Sequence, residues 1–384
     1  MSGPSGKRKL NFQEKLLIFM KRNKLNTTKQ VFFWLAVSAL IMFGFSFAKS
    51  EQGQPELKYK DEIFTASFMG DIMMGREVKK VTDHKGYDYL FQNVKPLLQN
   101  SDYSTANFEH PVADGLKGGK DPQHIHIGTD TEAVKALQNM NFTVANLANT
   151  HALDYGIQGL DKTFSVMKQH GIDPVGAGRT LEEAKRRISY REYNGIKVAT
   201  LGFTDIYPKD YNATKLNPGV LPMKPKIFIP LIAEAKEKAD LVIVNAHWGQ
   251  EYDTKPHPRQ KEFAHAMADA GADVIAGHHP HVLSPVEKYK DTVIFYSLGN
   301  FIFDQGWTRT RESAIAQLRV MKDQKARFEI TPLQIREGQP SPLRNINQIQ
   351  KKRIFKTLTK DMKNVDWKEK NGKLIFEMDY DKKL

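Results

Sequence analysis

The sequence predicts an α/β fold carried behind one N-terminal membrane-spanning helix. Two observations predict it. From residue 63 onward, short apolar runs alternate with stretches whose apolar positions fall three and four apart. Ahead of them, 18 residues from Val31 to Ala48 carry no charge. With 384 residues, 40% of them hydrophobic and 26% charged, the chain is long and apolar enough to bury a sizeable core.

Taken in order, residues 1–30 form a basic tail, with eight Lys and Arg against Glu14 alone, so +7 of the net +13 sits there. The charge therefore marks a tail rather than a nucleic-acid surface, and no nucleic-acid partner is expected. At ~1.5 Å per residue, the run 31–48 matches the ~30 Å hydrocarbon core of a bilayer. Basic residues stay on the cytoplasmic side. The expectation is a single-pass protein of the cell membrane, N-terminus cytoplasmic and main domain extracellular. A cleaved signal peptide, with Ser46-Phe47-Ala48 as a small-x-small site, is the competing reading. Residues 49–62 are polar, with Gly53 and Pro55, and read as a linker.

The domain proper is expected over 63–338. IFTASFMG, DYSTANF, FTVANLA, KVATLGF, ADLVIVNA, ADVIAG and TVIFYSLG read as strands, with helices between them such as TEAVKALQNM, GLDKTFSVMKQH and RQKEFAHAMADAG. Strands this apolar are covered on both faces. ESAIAQLRVMK and ARFEITPLQIRE alternate as antiparallel strands, and 339–384 reads as a peripheral, Lys-rich C-terminal extension. Cys is absent, which excludes disulfides, thiolate metal sites and a thiol nucleophile. No Gly-x-x-x-x-Gly-Lys-Ser/Thr loop occurs, so ATP chemistry of that type belongs elsewhere.

In α/β sheets, ligands bind beyond the carboxyl ends of the strands. The polar residues that stop each apolar run here are Asp71, Asn107 with Glu109, Asn149 with His151 and then Asp154, His247, the group His278, His279 and His281, and Asn300. Converging on one rim, they supply nitrogen and oxygen ligands for a divalent metal. Two ions suit the set better than one, because a pair clamps the attacking and leaving oxygens of a displacement. Manganese, iron and zinc all accept such ligands. Candidate ligands are Asp71, Asn107, Glu109, Asn149, His247, His278, His279 and His281. Spacing does not choose which two of the last three face the metal. His151 and His247, with Asp154, are candidates for proton transfer. Arg76, Asn300, Trp307, Arg309 and Arg311 are candidates for holding an acidic substrate, although a surface salt bridge for Arg76, a turn for Asn300 and a solvated loop for the other three are equally ordinary roles.

GDIMMGR, NFEHP, NLANTHALDYG, AHWGQEY, GHHPHV and SLGNFIFDQ together resemble the motif series of the bacterial capsule-synthesis CapA family, which is similar in turn to calcineurin-like metallophosphoesterases. The resemblance implies a four-layer sandwich of two central sheets flanked by helices. It also implies a membrane-anchored subunit of the machinery that makes and exports poly-γ-glutamate, with an ATP-dependent amide ligase and a small multi-spanning membrane protein as partners. Two positions depart from the phosphoesterase pattern. Met73 stands where a histidine is expected, and Thr150 stands directly before His151 where an asparagine is expected. A secreted metal-dependent phosphoesterase and a non-catalytic scaffold of the synthase are the alternatives.

Overall fold

The computed structural model describes residues 10–23, 27–47, 59, 61–116, 126–323, 325–344, 347–362 and 365–379. The expected linker lies almost wholly outside these residues, as do parts of the expected tail. The chain divides into two compact units, Met1–Gln52 and Gly53–Leu384. In the first, α1 (Phe12–Asn23) and α2 (Thr27–Phe47) are helical. Among the described residues, no helix is long and apolar enough to cross a membrane.

The second unit begins with β1 (Glu62–Ile72), α3 (Arg76–Lys85), α4 (Asp88–Phe91), α5 (Lys95–Leu98), β2 (Tyr103–Phe108), α6 (Thr131–Asn139), β3 (Val144–Asn146), α7 (Gly156–Gln169) and β4 (Asp173–Val175). There follow β5 (Ala177–Gly178), α8 (Leu181–Arg186), β6 (Ser189–Tyr193), β7 (Ile196–Thr204), β8 (Gly219–Val220), α9 (Pro225–Lys238), β9 (Leu241–His247), α10 (Pro258–Asp269) and β10 (Val274–His278). The remainder is β11 (Val286–Tyr289), β12 (Thr292–Phe295), β13 (Asn300–Ile302), β14 (Glu312–Met321), β15 (Lys325–Arg336), β16 (Gln339–Pro342), α11 (Gln348–Leu358), β17 (Trp367–Lys370) and β18 (Lys373–Asp379).

The fold is mixed α/β with two main sheets. The larger runs β17-β18-β15-β14-β1-β2-β3-β4, with β13 also on β1 and β16 on β15; the smaller runs β11-β12-β10-β9-β7-β6. At the heart of each, the strands are parallel: β1, β2, β3 and β4 in one, and β7, β9, β10 and β12 in the other. Strands β2, β9 and β10 are buried along their whole length, as parallel strands covered on both faces are.

Three apolar clusters account for this burial. One joins the larger sheet to the helices from α3 to α7, through residues such as Leu90, Phe108, Leu137 and Met167. A second lies between the sheets, where Phe68 of β1 and Phe295 of β12 stack at 6.3 Å. The third joins the smaller sheet to α8, α9 and α10 through Phe203, Phe228 and Trp248. The stretch expected as a peripheral extension is continuous with this core. Residues Leu374 and Phe376 of β18 are buried against β15, and Ile354, Phe355 and Leu358 of α11 share the inter-sheet cluster. Its alternating LIFEMD pattern forms β18, between β15 and the edge strand β17; among the described lysines here Lys351 is buried and Lys373 half-buried, and the others are exposed.

Candidate functional site

Strand register brings the polar strand ends together. In the larger sheet, Asp71 pairs with Asn107 on one side and Asn300 on the other, and Asn107 pairs with Asn146, so the four stand in one row. The smaller sheet makes a second row of Thr204, His247 and His278. Gly70 permits the first row to close: a Cβ there would lie 1.9 Å from the Gly299 carbonyl oxygen. Asp71, Asn107, Glu109, Asn149, His247 and His278 are all buried.

Asn107 ties the first row. Its Nδ2 donates to Asp71 Oδ1 at 2.8 Å and to Glu109 Oε2, while its Oδ1 accepts from Asn146 at 3.2 Å and Asn149 at 3.0 Å. It thus stands between the two buried carboxylates as a clamp, with its oxygen already engaged. Asn149 donates to the Phe108 carbonyl at 2.8 Å and accepts from the His151 N–H at 3.0 Å, which leaves its oxygen a second lone pair.

The histidines meet these carboxylates nitrogen first. Thr204 gives its hydroxyl hydrogen to the Ile206 carbonyl, so the hydrogen shared with His247 at 3.1 Å comes from His247 Nδ1. That tautomer, assigned from the network, leaves the His247 Nε2 lone pair facing Glu109 Oε1 at 3.4 Å. His278 repeats the arrangement. Its Nε2 donates to Asn245 Oδ1 at 3.2 Å, and its Nδ1, which makes no hydrogen bond, faces Asp71 Oδ1 at 3.5 Å. His281 Nδ1 sits against two acceptors, Asp71 Oδ2 at 3.1 Å and Asn300 Oδ1 at 2.9 Å, and is therefore a donor that turns Nε2 outward. His279 Nδ1 is buried without a hydrogen-bond partner, its ring 4.6 Å from that of His247.

Electrostatics follow the geometry. Burial opposes ionisation of Asp71, but the hydrogen bond from His281 outweighs it and holds the carboxyl well below its usual range. Burial likewise opposes ionisation of Glu109, whose Oε2 accepts from Asn107 Nδ2. Burial and the neighbouring imidazoles push His279 down to about 3, whereas Asp71 overcomes burial to raise His281 to about 9. The turn bearing these histidines is strained, with φ at +93° for His279 and +57° for His281, a conformation side chains adopt only where the surroundings impose it.

At the edge of the centre, His151 Nδ1 meets Asp154 Oδ2 at 2.8 Å, and Asp154 is fixed by the Ile127 N–H at 2.7 Å. Despite burial, this bond raises the His151 pKa. Burial raises that of Asp154. The remaining candidates border the centre. Arg76 forms a two-point ion pair with Asp304, Asn300 joins His281 to the following loop, and Trp307 packs against Tyr252 with ring centres 4.6 Å apart and planes inclined at 38°. Arg309 and Arg311 are exposed on the same turn as Trp307.

Two contributors, Glu251 and His110, escape the strand-end criterion, and a third, Thr204, is the strand end of β7. Glu251, exposed on the loop after β9, brings a carboxylate oxygen within 4.8 Å of ligating atoms of His279 and His281. The signal for it lies in the AHWGQEY stretch, four residues past His247. Thr204 orients His247, and buried His110 accepts the Met74 N–H at 2.6 Å. Met73, at the position where a histidine is expected, is fully buried in the helix-side core. Its sulfur accepts the Gly75 N–H at 3.2 Å.

The residues fit a divalent cation. Two imidazole lone pairs face two carboxylate oxygens across 3.4 and 3.5 Å, acceptor against acceptor, and a cation relieves each opposition. Among known proteins, the family described as bacterial capsule synthesis protein PGA_cap matches residues 65–305. The PGA biosynthesis protein CapA of Bacillus subtilis is 50% identical over 98% of this chain and 99% of its own length. The capsule biosynthesis protein CapA of Bacillus anthracis is 44% identical over 97% and 92%. A 5′-nucleotidase precursor from Thermus thermophilus covers 67% of this chain and 51% of its own at 12% identity and a TM-score of 0.36, too slight a likeness to carry an argument.

Proposed function

Because the chain belongs to the bacterial capsule synthesis PGA_cap family, we propose that it is the extracytoplasmic subunit of a poly-γ-glutamate synthesis and export complex, handling the polyanion at a divalent-metal centre. The observation that carries the metal centre is the double opposition of His247 to Glu109 and of His278 to Asp71, with Asn107 bound to both carboxylates. Asp71, Glu109, His247, His278, His279 and His281 are the residues that would hold the metal, with Glu251 at the rim. We read the helix–sheet–sheet–helix layering as metallophosphoesterase-like, and a pair of ions as the complement that suits two opposed sites.

A divalent cation, when bound, supplies Lewis acidity and lowers the pKa of water. The chain's own part is to orient and to manage protons. His151, with Nδ1 held by Asp154, presents Nε2 as the atom that carries a proton to a leaving group. This dyad is the specific observation that favours a second reading, a secreted metal-dependent phosphoesterase.

The uncharged run 31–48 behind a basic tail supports a single-pass anchor with the main domain outside, and the described large apolar side chains from Val31 to Leu35, together with Leu40, are exposed, as a lipid-facing helix requires. Polymerisation and conduction then fall to an amide ligase and a multi-spanning membrane protein. The test is Asp71→Ala and His247→Ala in the producing cell at unchanged protein level. Loss of polymer and of bound metal is expected; normal polymer output overturns the metal-centre reading.

A further inference from the structure

A cleft of about 480 Å³ lies between α3 and the segment 303–311, lined by the basic side chains of Lys80, His84, Lys85 and Arg311 and by the carboxylates of Glu77, Asp304 and Glu337. It shares its wall with the metal centre. The Phe303 ring stands 4.8 Å from that of His281. Gln305 accepts from Asn300 at 3.0 Å and donates to the Tyr252 hydroxyl at 3.1 Å, while Asn300 also holds the Thr310 carbonyl at 3.1 Å. The turn bearing Trp307, Arg309 and Arg311 is thus fastened to the residue that orients His281.

Charge around the cleft is unevenly neutralised. Lys80 pairs with Glu77 at 2.7 Å, Lys85 with Glu337 at 2.8 Å, and Arg76 with Asp304. Among the described residues, the Arg309 and Arg311 guanidinium groups make no ion pair within 4 Å and no hydrogen bond. Two exposed cations without a close ion pair, beside the exposed, tilted Tyr252–Trp307 ring pair, match a ligand with carboxylates at intervals along a backbone of planar amides and methylenes. The guanidinium forks take the carboxylates, and the rings cover the flat and apolar parts.

We propose that this cleft, which Arg311 lines, and the adjoining surface of Arg309 and the Tyr252–Trp307 pair form the subsite that holds the carboxylate-bearing polymer beside the metal centre. It rests on the function proposed above and adds where the chain lies and what grips it.

The experiment uses the purified full-length protein and a fluorescently labelled poly-γ-glutamate oligomer, with binding read by anisotropy at low ionic strength. Arg309→Gln combined with Arg311→Gln raises Kd about tenfold, each exposed charge contact contributing a few-fold. Trp307→Ala raises it several-fold, and neither change alters melting temperature or metal content. Arg309→Lys with Arg311→Lys, which keeps charge and loses the forks, falls between. If wild type binds the oligomer and all variants bind it equally well, the subsite is wrong and the functional reading stands. If wild type ignores the oligomer but binds inorganic phosphate through the same two arginines, both are overturned in favour of a phosphoester substrate.

Discussion

Replacing Asp71 by asparagine keeps the side-chain volume and removes the charge at the centre of the site. The carboxylate now meets Asn107 Nδ2 at 2.8 Å, the His279 N–H at 3.2 Å, His281 Nδ1 at 3.1 Å and His278 Nδ1 at 3.5 Å. In metal-free protein, removing one partner of a buried charge pair costs about 3–5 kcal/mol, and the lower end applies because the amide oxygen still accepts one bond. At roughly 2 °C per kcal/mol for a domain of this size, the melting temperature falls by about 6 °C. Metal separates a ligand from a merely structural aspartate. A cation at 100 times its Kd stabilises the wild type by about 2.7 kcal/mol, or roughly 5 °C, and a variant that has lost the ligand gains nothing. Calorimetric melting of chelator-stripped protein, titrated with manganese, iron and zinc, reads both quantities. No shift in wild type with any of the three, or an equal shift in Asp71→Asn, refutes the metal-centre argument.

His110→Leu strands the buried Met74 N–H and lowers stability by about 1–3 kcal/mol in urea unfolding, while His110→Gln, which restores an acceptor, recovers part of it. Gly70→Ala forces a methyl group against the Gly299 carbonyl and costs about 3 kcal/mol; because it displaces Asp71 from Asn300, metal affinity falls with it. Should the centre hydrolyse a bond, His151→Asn lowers turnover by about 10²–10⁴-fold with metal content unchanged in elemental analysis. Although Lys373 Nζ donates to Glu329 Oε2 at 3.0 Å, burial holds it down to about 8 against an ordinary value near 10.5, so between about pH 8 and 10.5 the unfolded chain binds the extra proton. Stability therefore gains from this residue as pH rises through that window, and Lys373→Met flattens the gain in unfolding measured across it.

Local pattern carried the architecture a long way. Apolar runs of strand length alternating with helical periods specify buried parallel strands, and the polar residue ending each run marks the rim, so Asp71, Asn107, His247 and His278 are all readable as strand ends. Residues on loops are not readable in this way. Glu251 acts beside His279 and His281, 28 or more residues distant, and no periodicity records that.

What the chain determines by itself is which side chains are available and where each strand stops, because both depend on contacts a few residues apart. Only the tertiary structure decides their roles, since strand register joins positions far apart in sequence. It places Asn107 between two carboxylates with its oxygen spent on Asn146 and Asn149, and it sends Met73 into the core. It also sets the His247 and His278 lone pairs against Glu109 and Asp71, because Thr204 and Asn245 claim the opposite ring nitrogens.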